Sequence, residues 1–347
     1  MPELTLEDIA LRAGVSRSTV SRVINNHPNV SDNVRLRVQD VIEKTGFHPN
    51  VAARTLASHR SWTVGLVLPH SVSLFFTDPY YPHLTKGVAQ ACNQYDYTLA
   101  LFLVGNEADE KKILPRVSRN SLLDGVLLQS GHRGDLLTDR LLQSRVPLVL
   151  LGRSLHLADV NSIDIDNVAA AYQAVRHLVQ VGYRRIGTIT GPLTSAVGID
   201  RRDGYLKALA EKGIPAEDAL IAESDFTEAG GYLSMQALLP AGPDAVFAAS
   251  DIMASGAMRA ARDAGLDIPN DIGFVGFDDL PIGGVHLANP PLTTVRQPIF
   301  DMGFQAVEIL IGLIENGTSP ARRTILNTDL IVRSSCRSRE AISGTCS

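Results

Sequence analysis

The chain has 347 residues, of which 45% are apolar and 20% charged, and carries a formal net charge of −5. That length exceeds one average domain, the composition is that of an ordinary globular protein, and no apolar run approaches the ~20 residues of a membrane span. The N-terminus, MPELTLEDIA, is acidic and lacks an apolar signal core, so a cytoplasmic protein is expected.

The charge is unevenly divided. Residues 1–60 hold eight Arg or Lys and six Asp or Glu, a net of +2, which leaves −7 for residues 61–347. A basic head on an acidic body suits a chain whose small end meets phosphate. Cys92, Cys336 and Cys346 are far apart and lack metal-ligand spacing. They read as free thiols in a reducing compartment, and neither a metal nor a cofactor is expected.

Leu6, Ile9, Ala10 and Ala13 give a first short helix one apolar stripe. Gly14 supplies a turn and Ser16 caps a second helix, in which Val20, Val23 and Ile24 face inward. Ser18, Ser21, Arg22 and Asn25 share the opposite face, with Arg17 at its start. A face of hydroxyls, amide and guanidinium groups can donate to phosphates and base edges, so residues 5–25 read as a helix-turn-helix whose second helix enters a DNA major groove. On spacing alone, a helical hairpin with a solvated face fits equally well.

Ser31 is expected to cap a third helix with Val34, Val38, Val41 and Ile42 inside and Gly46 at its end. The core centre of this head is expected at Leu6, Ile9, Val20, Val23, Val38, Val41 and Ile42. After Pro49, Asn50–Ala57 is Ala-rich but only about two turns long, too short to be a stable helix by itself.

The strings Thr5-Leu6-Glu7-Asp8-Ile9-Ala10, Ala13-Gly14-Val15-Ser16 and Thr19-Val20-Ser21-Arg22-Val23-Ile24-Asn25 closely resemble the N-terminus of the lactose/galactose/purine repressor family. The resemblance runs over essentially all of residues 3–335. It implies a homodimer on a near-palindromic operator, with Arg17, Ser18 and Arg22 facing bases and Thr5, Ser16, Ser21 and Asn25 holding phosphates. It also implies a hinge helix at about 50–58 that pairs with its dimer mate in the minor groove. Asn50 and Ala53 would lie in that hinge, and Leu56 would wedge a base step.

From Trp62 the pattern changes to short buried strands, at Thr63–Pro69, Thr98–Val104, Gly125–Gln129 and Pro147–Leu151. The pattern then recurs. Arg185–Pro192 parallels Thr63–Pro69, Asp244–Ala248 parallels Asp124–Leu128, and Ile272–Phe277 parallels Val146–Gly152. The expected fold is therefore α/β: a three-helix head with hinge (1–60), then a core (61–340) of two doubly wound parallel-sheet lobes. The first lobe is expected at about 61–160 and 292–320, the second at about 161–291 and 321–335. In this scheme Leu292–Pro298 returns to the first lobe, before a helix Asp301–Glu315, and Thr324–Val332 returns to the second. The resemblance implies the periplasmic-binding-protein type of lobe pair.

Ligands of open α/β sheets sit at the carboxyl ends of the strands. There lie Tyr80, Tyr81 and Arg153 in the first lobe, and Arg201, Ser250, Asp251 and Asp278 in the second. Each also has a bland reading as a cap, a solvated charge or packing. The resemblance matches Arg201, Phe226 and Asp278 to effector-pocket positions, and carries over Ser250, Asp251, Tyr80, Tyr81, Arg153 and Gln297 with them. Carboxylates, guanidinium groups and aromatics suit a sugar or sugar derivative. A stacked nucleobase is the alternative. The loop Pro69–Pro79 looks longer than in better-known relatives.

No GxGxxG follows an expected strand, and GxxxxGK[ST], GxSxG and HExxH are absent, so an enzyme is not expected. A solute-binding protein would have the same lobes but no use for residues 1–60. The tail after Cys336 lacks leucine heptads, so a dimer is expected in place of a tail-bundled tetramer.

Overall fold

The computed structural model describes residues 4–24, 29–47, 60–68, 71–118, 122–129, 136–144, 146–156, 159–280, 289–317 and 320–337. They divide into two compact units at Ser61/Trp62.

In the head, α1 spans Leu6–Ala13, α2 Arg17–Ile24 and α3 Asp32–Thr45. Thr5 and Asp8 form a reciprocal capping box on α1, and Gly14 ends that helix in the left-handed region at φ 61°. The Ser16 hydroxyl accepts the Thr19 amide at 3.1 Å, as expected of the cap of α2. Ser31 occupies the N-cap position of α3, but its side chain makes no cap hydrogen bond. Ile9, Ala10, Ala13, Val20, Val23, Val38 and Phe47 are buried, with Leu6, Val34, Val41 and Ile42 packed around them.

The body contains, in chain order, β1 (Thr63–Leu68), α4 (Val72–Thr77), α5 (Tyr80–Gln94), β2 (Thr98–Leu103), α6 (Glu107–Val117), β3 (Gly125–Gln129), α7 (Leu136–Gln143), β4 (Leu148–Leu151), β5 (Ser162–Ile165) and α8 (Asn167–Gln180). There follow β6 (Ile186–Thr190), α9 (Ala196–Glu211), β7 (Ile221–Glu223), α10 (Glu228–Leu238), β8 (Ala245–Ala248), α11 (Asp251–Asp263), β9 (Gly273–Asp278), β10 (Thr293–Arg296), α12 (Ile299–Asn316), β11 (Arg323–Leu326) and β12 (Asp329–Ile331). The stretch read as a long loop thus holds the short helix α4.

The two sheets have the orders β11-β5-β4-β3-β1-β2 and β12-β10-β9-β8-β6-β7. Position by position they are the same sheet twice, and only β12 runs antiparallel, against β10. The repeat extends to single side chains. Asp124, before β3, accepts the Trp62 amide at 2.9 Å; Asp244, before β8, accepts the Arg184 and Arg185 amides at 2.8 and 2.9 Å.

The late crossings differ from expectation. Leu292–Pro298 does not return to the first lobe: β10 pairs with β9 and extends the second sheet. Thr324–Val332 is split, with β11 pairing with β5 in the first sheet and β12 with β10 in the second. The first lobe therefore takes in β5, α12 and β11, and the chain crosses between lobes near Asp166, at 297–298 and at 327–328. An apolar run states that a strand is buried but not which sheet buries it.

In the first lobe α12 packs on α5 and on β3, β4 and β5. The backbones of α5 and α12 touch. A Cβ at Gly87 would lie 2.1 Å from the Phe300 carbonyl oxygen, and one at Gly303 2.4 Å from that of Leu84.

Candidate functional site

The head presents α2 as its polar element. Val20 and Val23 are buried beneath it, while Arg17, Ser18 and Arg22 are exposed and Ser21 is half-buried. Arg17 Nε lies 3.1 Å from a Glu7 carboxylate oxygen, with both side chains mostly exposed. Ser16 and Ser18 hydroxyls are 2.8 Å apart. Thr5 donates its hydroxyl to Asp8 at 2.7 Å, so a phosphate contact from that hydroxyl would compete with the cap. The cap's hydrogen bonds hold the Asp8 carboxyl below its usual range. Asn25 and the hinge positions Asn50, Ala53 and Leu56 lie outside the described residues.

In the body a cleft opens between the lobes, at the carboxyl ends of both sheets. Its empty space, solvent-open mouth included, is about 930 Å³. Tyr80, Tyr81, Arg153, Arg201, Phe226, Ser250, Asp278 and Gln297 all line it. Asp251 does not: it is 1% exposed and lies behind the wall.

Arg201, on the first turns of α9, is the centre of the second-lobe wall. Its guanidinium carbon sits 3.6 Å from the centre of the Phe277 ring. Nε donates to Asn167 Oδ1 at 2.9 Å, and one terminal nitrogen donates to the Ala249 carbonyl at 2.5 Å. The same nitrogen lies 3.7 Å from Asp278 Oδ1. Burial depresses the Arg201 pKa, against the pull of Asp278.

Asp278 ends β9, where Asp278 and Asp279 have φ of 128° and 53°. L residues rarely adopt these angles, so the turn must be held by its surroundings. Gln297, at the second crossing, donates its side-chain amide to the Asp278 carboxylate. Burial pushes the Asp278 carboxyl up to about 7, with Arg201 pulling the other way. Facing it from the first lobe, Asp78 precedes α5 and accepts the Tyr80 amide at 2.9 Å. Burial pushes Asp78 up to about 6.

Aromatic faces supply the rest. Tyr80 and Tyr81 meet edge to face with centroids 5.3 Å apart, and the Tyr80 hydroxyl donates to Met302 Sδ at 3.9 Å. Burial raises the pKa of both hydroxyls, which stay neutral. Phe226 has φ 62°, and its ring lies on Gly191, where a Cβ would approach Phe226 Cζ to 2.0 Å. Only glycine there lets the ring lie flat over the end of β6.

The cleft also gathers Asp78, Gln129, Asp164, Asn167, Ser195 and Met302, none of which the sequence reading selected. Asp164 alternates with apolar neighbours in β5; Asn167 Nδ2 donates to it at 3.3 Å and an Arg323 terminal nitrogen lies 3.3 Å away. Burial raises its carboxyl pKa. Gln129 ends β3, and its Oε1 is buried with no hydrogen-bond partner among the described residues. Such an acceptor suits a ligand hydroxyl or N–H. Arg153 is committed to Asp200, donating Nε to Oδ2 at 2.7 Å and a terminal nitrogen to Oδ1. The arrangement offers many acceptors, several fixed donors and apolar faces. Among the described residues lining the cleft, no nucleophile is paired with a base.

Comparison with known proteins agrees at both ends of the chain. The model of bacterial regulatory proteins of the lacI family matches residues 5–50, and that of the periplasmic binding protein-like domain matches residues 175–336. The chain is 39% identical over 335 residues to the HTH-type transcriptional regulator CelR of Thermobifida fusca, covering 95% of this chain and 98% of CelR. It is 35% identical over 337 residues to the regulator GalR of Escherichia coli K12, covering 95% of each. Among solved structures, a transcriptional regulator CelR–cellobiose complex superposes with TM-score 0.77 at 36% identity, covering 96% of this chain and all of that one. A lac repressor dimer bound to operator and the anti-inducer ONPF superposes with TM-score 0.81 at 27% identity, covering 96% and 99%. These relatives are transcriptional regulators and not enzymes. The chain belongs to the lacI family of bacterial regulatory proteins and is a DNA-binding transcriptional regulator with a helix-turn-helix head and a periplasmic-binding-protein-like body.

Proposed function

We propose that the chain is a cytoplasmic homodimeric repressor whose operator affinity is set by a neutral sugar bound in the interlobe cleft. The observation that carries this reading is the set of charged groups lining the cleft. Arg201 faces Asp278, Arg153 is taken by Asp200 and Arg323 faces Asp164, while the buried Asp78 has no ion pair among the described residues and feels Arg201 only at longer range. Each arginine lining the cleft already faces a carboxylate, so a phosphorylated or otherwise anionic ligand would have to compete for it. A neutral polyol instead donates its hydroxyls to the carboxylates and Gln129 Oε1 and receives from Arg201, while its C–H faces lie on Tyr80, Tyr81 or Phe226. The CelR relative is known in complex with cellobiose, which makes a β-linked disaccharide the first sugar to try.

On this reading Arg17, Ser18 and Arg22 reach base edges, and Ser16, Ser21 and Asn25 hold phosphates. Asn50, Ala53 and Leu56 act in a hinge that grips the minor groove, so Leu56→Ala weakens operator binding and leaves sugar binding intact. The effector favours one lobe arrangement, and the coupling is reciprocal at ~1–3 kcal/mol.

The test is a gel-shift titration of the full chain on a duplex selected from a random pool. Cellobiose, glucose, galactose, glucose 6-phosphate and adenine are added in turn. A neutral sugar should change the operator dissociation constant severalfold or more. A response to glucose 6-phosphate or adenine alone would replace the sugar reading, and no sequence preference in the selected pool would remove the operator reading.

A further inference from the structure

Asp251 combines full burial, two short hydrogen bonds and a place directly behind the cleft wall. It opens α11 and is 1% exposed. Its Oδ2 accepts the Asp279 amide at 2.7 Å, and its Oδ1 accepts the Thr294 hydroxyl at 2.5 Å. No cation pairs with it among the described residues. Burial pushes its carboxyl well above the usual range, so the group is held largely without charge and contributes what its oxygens hold.

What they hold is the turn that carries Asp278. The strained pair, at φ 128° and 53°, has its second amide tied to Asp251 and its second carboxylate tied to two arginines. Arg296 Nε donates to Asp279 Oδ2 at 2.7 Å, and an Arg333 terminal nitrogen donates to Asp279 Oδ1 at 2.6 Å. Gly276, two residues earlier on β9, makes room for the tie. A Cβ there would lie 2.2 Å from Asp251 Oδ1. Asp251 thus reaches past the end of one strand to β10 and clamps the exit of β9 from behind.

We propose that Asp251 is a positioning residue: by holding the Asp279 amide it fixes the left-handed turn that aims the Asp278 carboxylate at the effector. This rests on the cleft being the effector site. Asp251 touches no ligand and acts through the turn, which separates it from the neighbouring Ser250 that lines the cleft.

The variants are Asp251→Ala, Asp251→Asn and Thr294→Val in the full chain. Asn keeps an oxygen for the Asp279 amide and an N–H for the Thr294 oxygen, whereas Ala keeps neither. Thr294→Val removes only the outer hydrogen bond. In crystals without added sugar, Asp251→Ala should show the Asp278–Asp279 turn relaxed and the Asp278 carboxylate moved off Gln297, with Asp251→Asn unchanged. Retention of the turn in Asp251→Ala overturns the proposal whatever binds in the cleft.

Calorimetry with cellobiose supplies the functional arm. A misaimed Asp278 costs the sugar one hydrogen bond to a carboxylate, so Asp251→Ala should weaken cellobiose binding roughly 10–100-fold. Asp251→Asn should restore it to within about threefold and Thr294→Val should lose little, with sugar-free operator affinity unchanged in all three. Equal loss in Ala and Asn variants would also overturn the proposal, since charge and not the held amide would then matter. Failure of the unmutated chain to bind cellobiose or any neutral sugar would fall on the sugar reading, and the crystal arm would still decide the role of Asp251.

Discussion

Replacing Arg201 by Ala removes a guanidinium that is 5% exposed and serves four neighbours at once. Asn167 Oδ1 and the Ala249 carbonyl each lose a donor, which costs about 1–3 kcal/mol per buried acceptor. The stacking on Phe277 goes as well. Asp278 then has no cation beside it, and a buried pair broken on one side costs about 3–5 kcal/mol. Here that last cost is capped. The carboxyl already sits at about 7 with Arg201 in place, so it takes up a proton instead of staying charged. At pH 6 the carboxyl is neutral in both proteins. At pH 8 only the unmutated protein gains from ionising it, by about 1 kcal/mol. Urea unfolding followed by circular dichroism should therefore show Arg201→Ala destabilised by about 3–5 kcal/mol in total, and by about 1 kcal/mol more at pH 8 than at pH 6. The double variant with Asp278→Asn should lose the pH difference. Sugar response should be abolished while operator binding without sugar persists. A variant as stable as the parent at pH 8, or one that still responds to sugar, would refute the placement of Arg201 at the centre of the site.

Sugar binding should depend on pH in one direction. A hydroxyl donated to Asp78 or Asp278 favours the ionised carboxyl, and burial has raised these groups to about 6 and about 7 from an ordinary 3.8. Affinity should rise as pH passes up through 6–7 and level off above, with protons released on binding at pH 6.5; calorimetry in buffers of different ionisation enthalpy would detect an opposite slope. Without ligand the sign reverses, because the folded chain holds these protons more tightly than the unfolded one. Stability should fall between about pH 4 and pH 7 and then flatten for these two groups, as thermal melts would show. Gly87→Ala should destabilise the first lobe by about 1–3 kcal/mol, since its Cβ would press on the Phe300 carbonyl; an unchanged melting curve would contradict the close helix contact. Arg22→Ala should weaken selected-operator binding by about 1–3 kcal/mol with relaxed base preference at one position; selection on the variant would reveal any unaltered preference.

Of the strands legible in the sequence, β1, β3, β4 and β8 are buried on both faces and read as unbroken apolar runs, whereas β2, expected to be buried, forms an edge strand with exposed and half-buried side chains. β5 was not, because Ser162 and Asp164 interrupt it, and both side chains are nonetheless buried. Its polar residues are there for the cleft and the β11 edge, so the same feature hid the strand and two site residues, Asp164 and its partner Asn167. Gln129 was read only as the end of a strand, and Asp78 fell in a loop. Nothing local distinguishes them from bland neighbours until the second lobe faces them. Asp251 shows the opposite failure. Motif position put it in the pocket with Ser250, whereas one residue along a helix start turns a side chain from the cleft to the core behind it.

The three crossings also tie the completion of both lobes to the end of the body. The first lobe begins at β1 but is incomplete until α12 and β11, residues 299–326, have joined it. Met302, Ala306, Val307 and Leu310 of α12 are buried in its core, so a chain stopped short of them exposes an apolar face over β3 and β4. The second lobe in turn needs β12 and the segment after it, where Ser335 and Cys336 are buried and the Ser335 hydroxyl accepts the Thr293 amide and donates to the Phe274 carbonyl. As the chain emerges from the ribosome, neither lobe can close its core until the segments after residue 298 have been made, and the first lobe's last strand, β11, precedes the second lobe's, β12. A product that stops before α12 carries an open apolar surface on the first lobe, and that is a surface a chaperone or protease would meet.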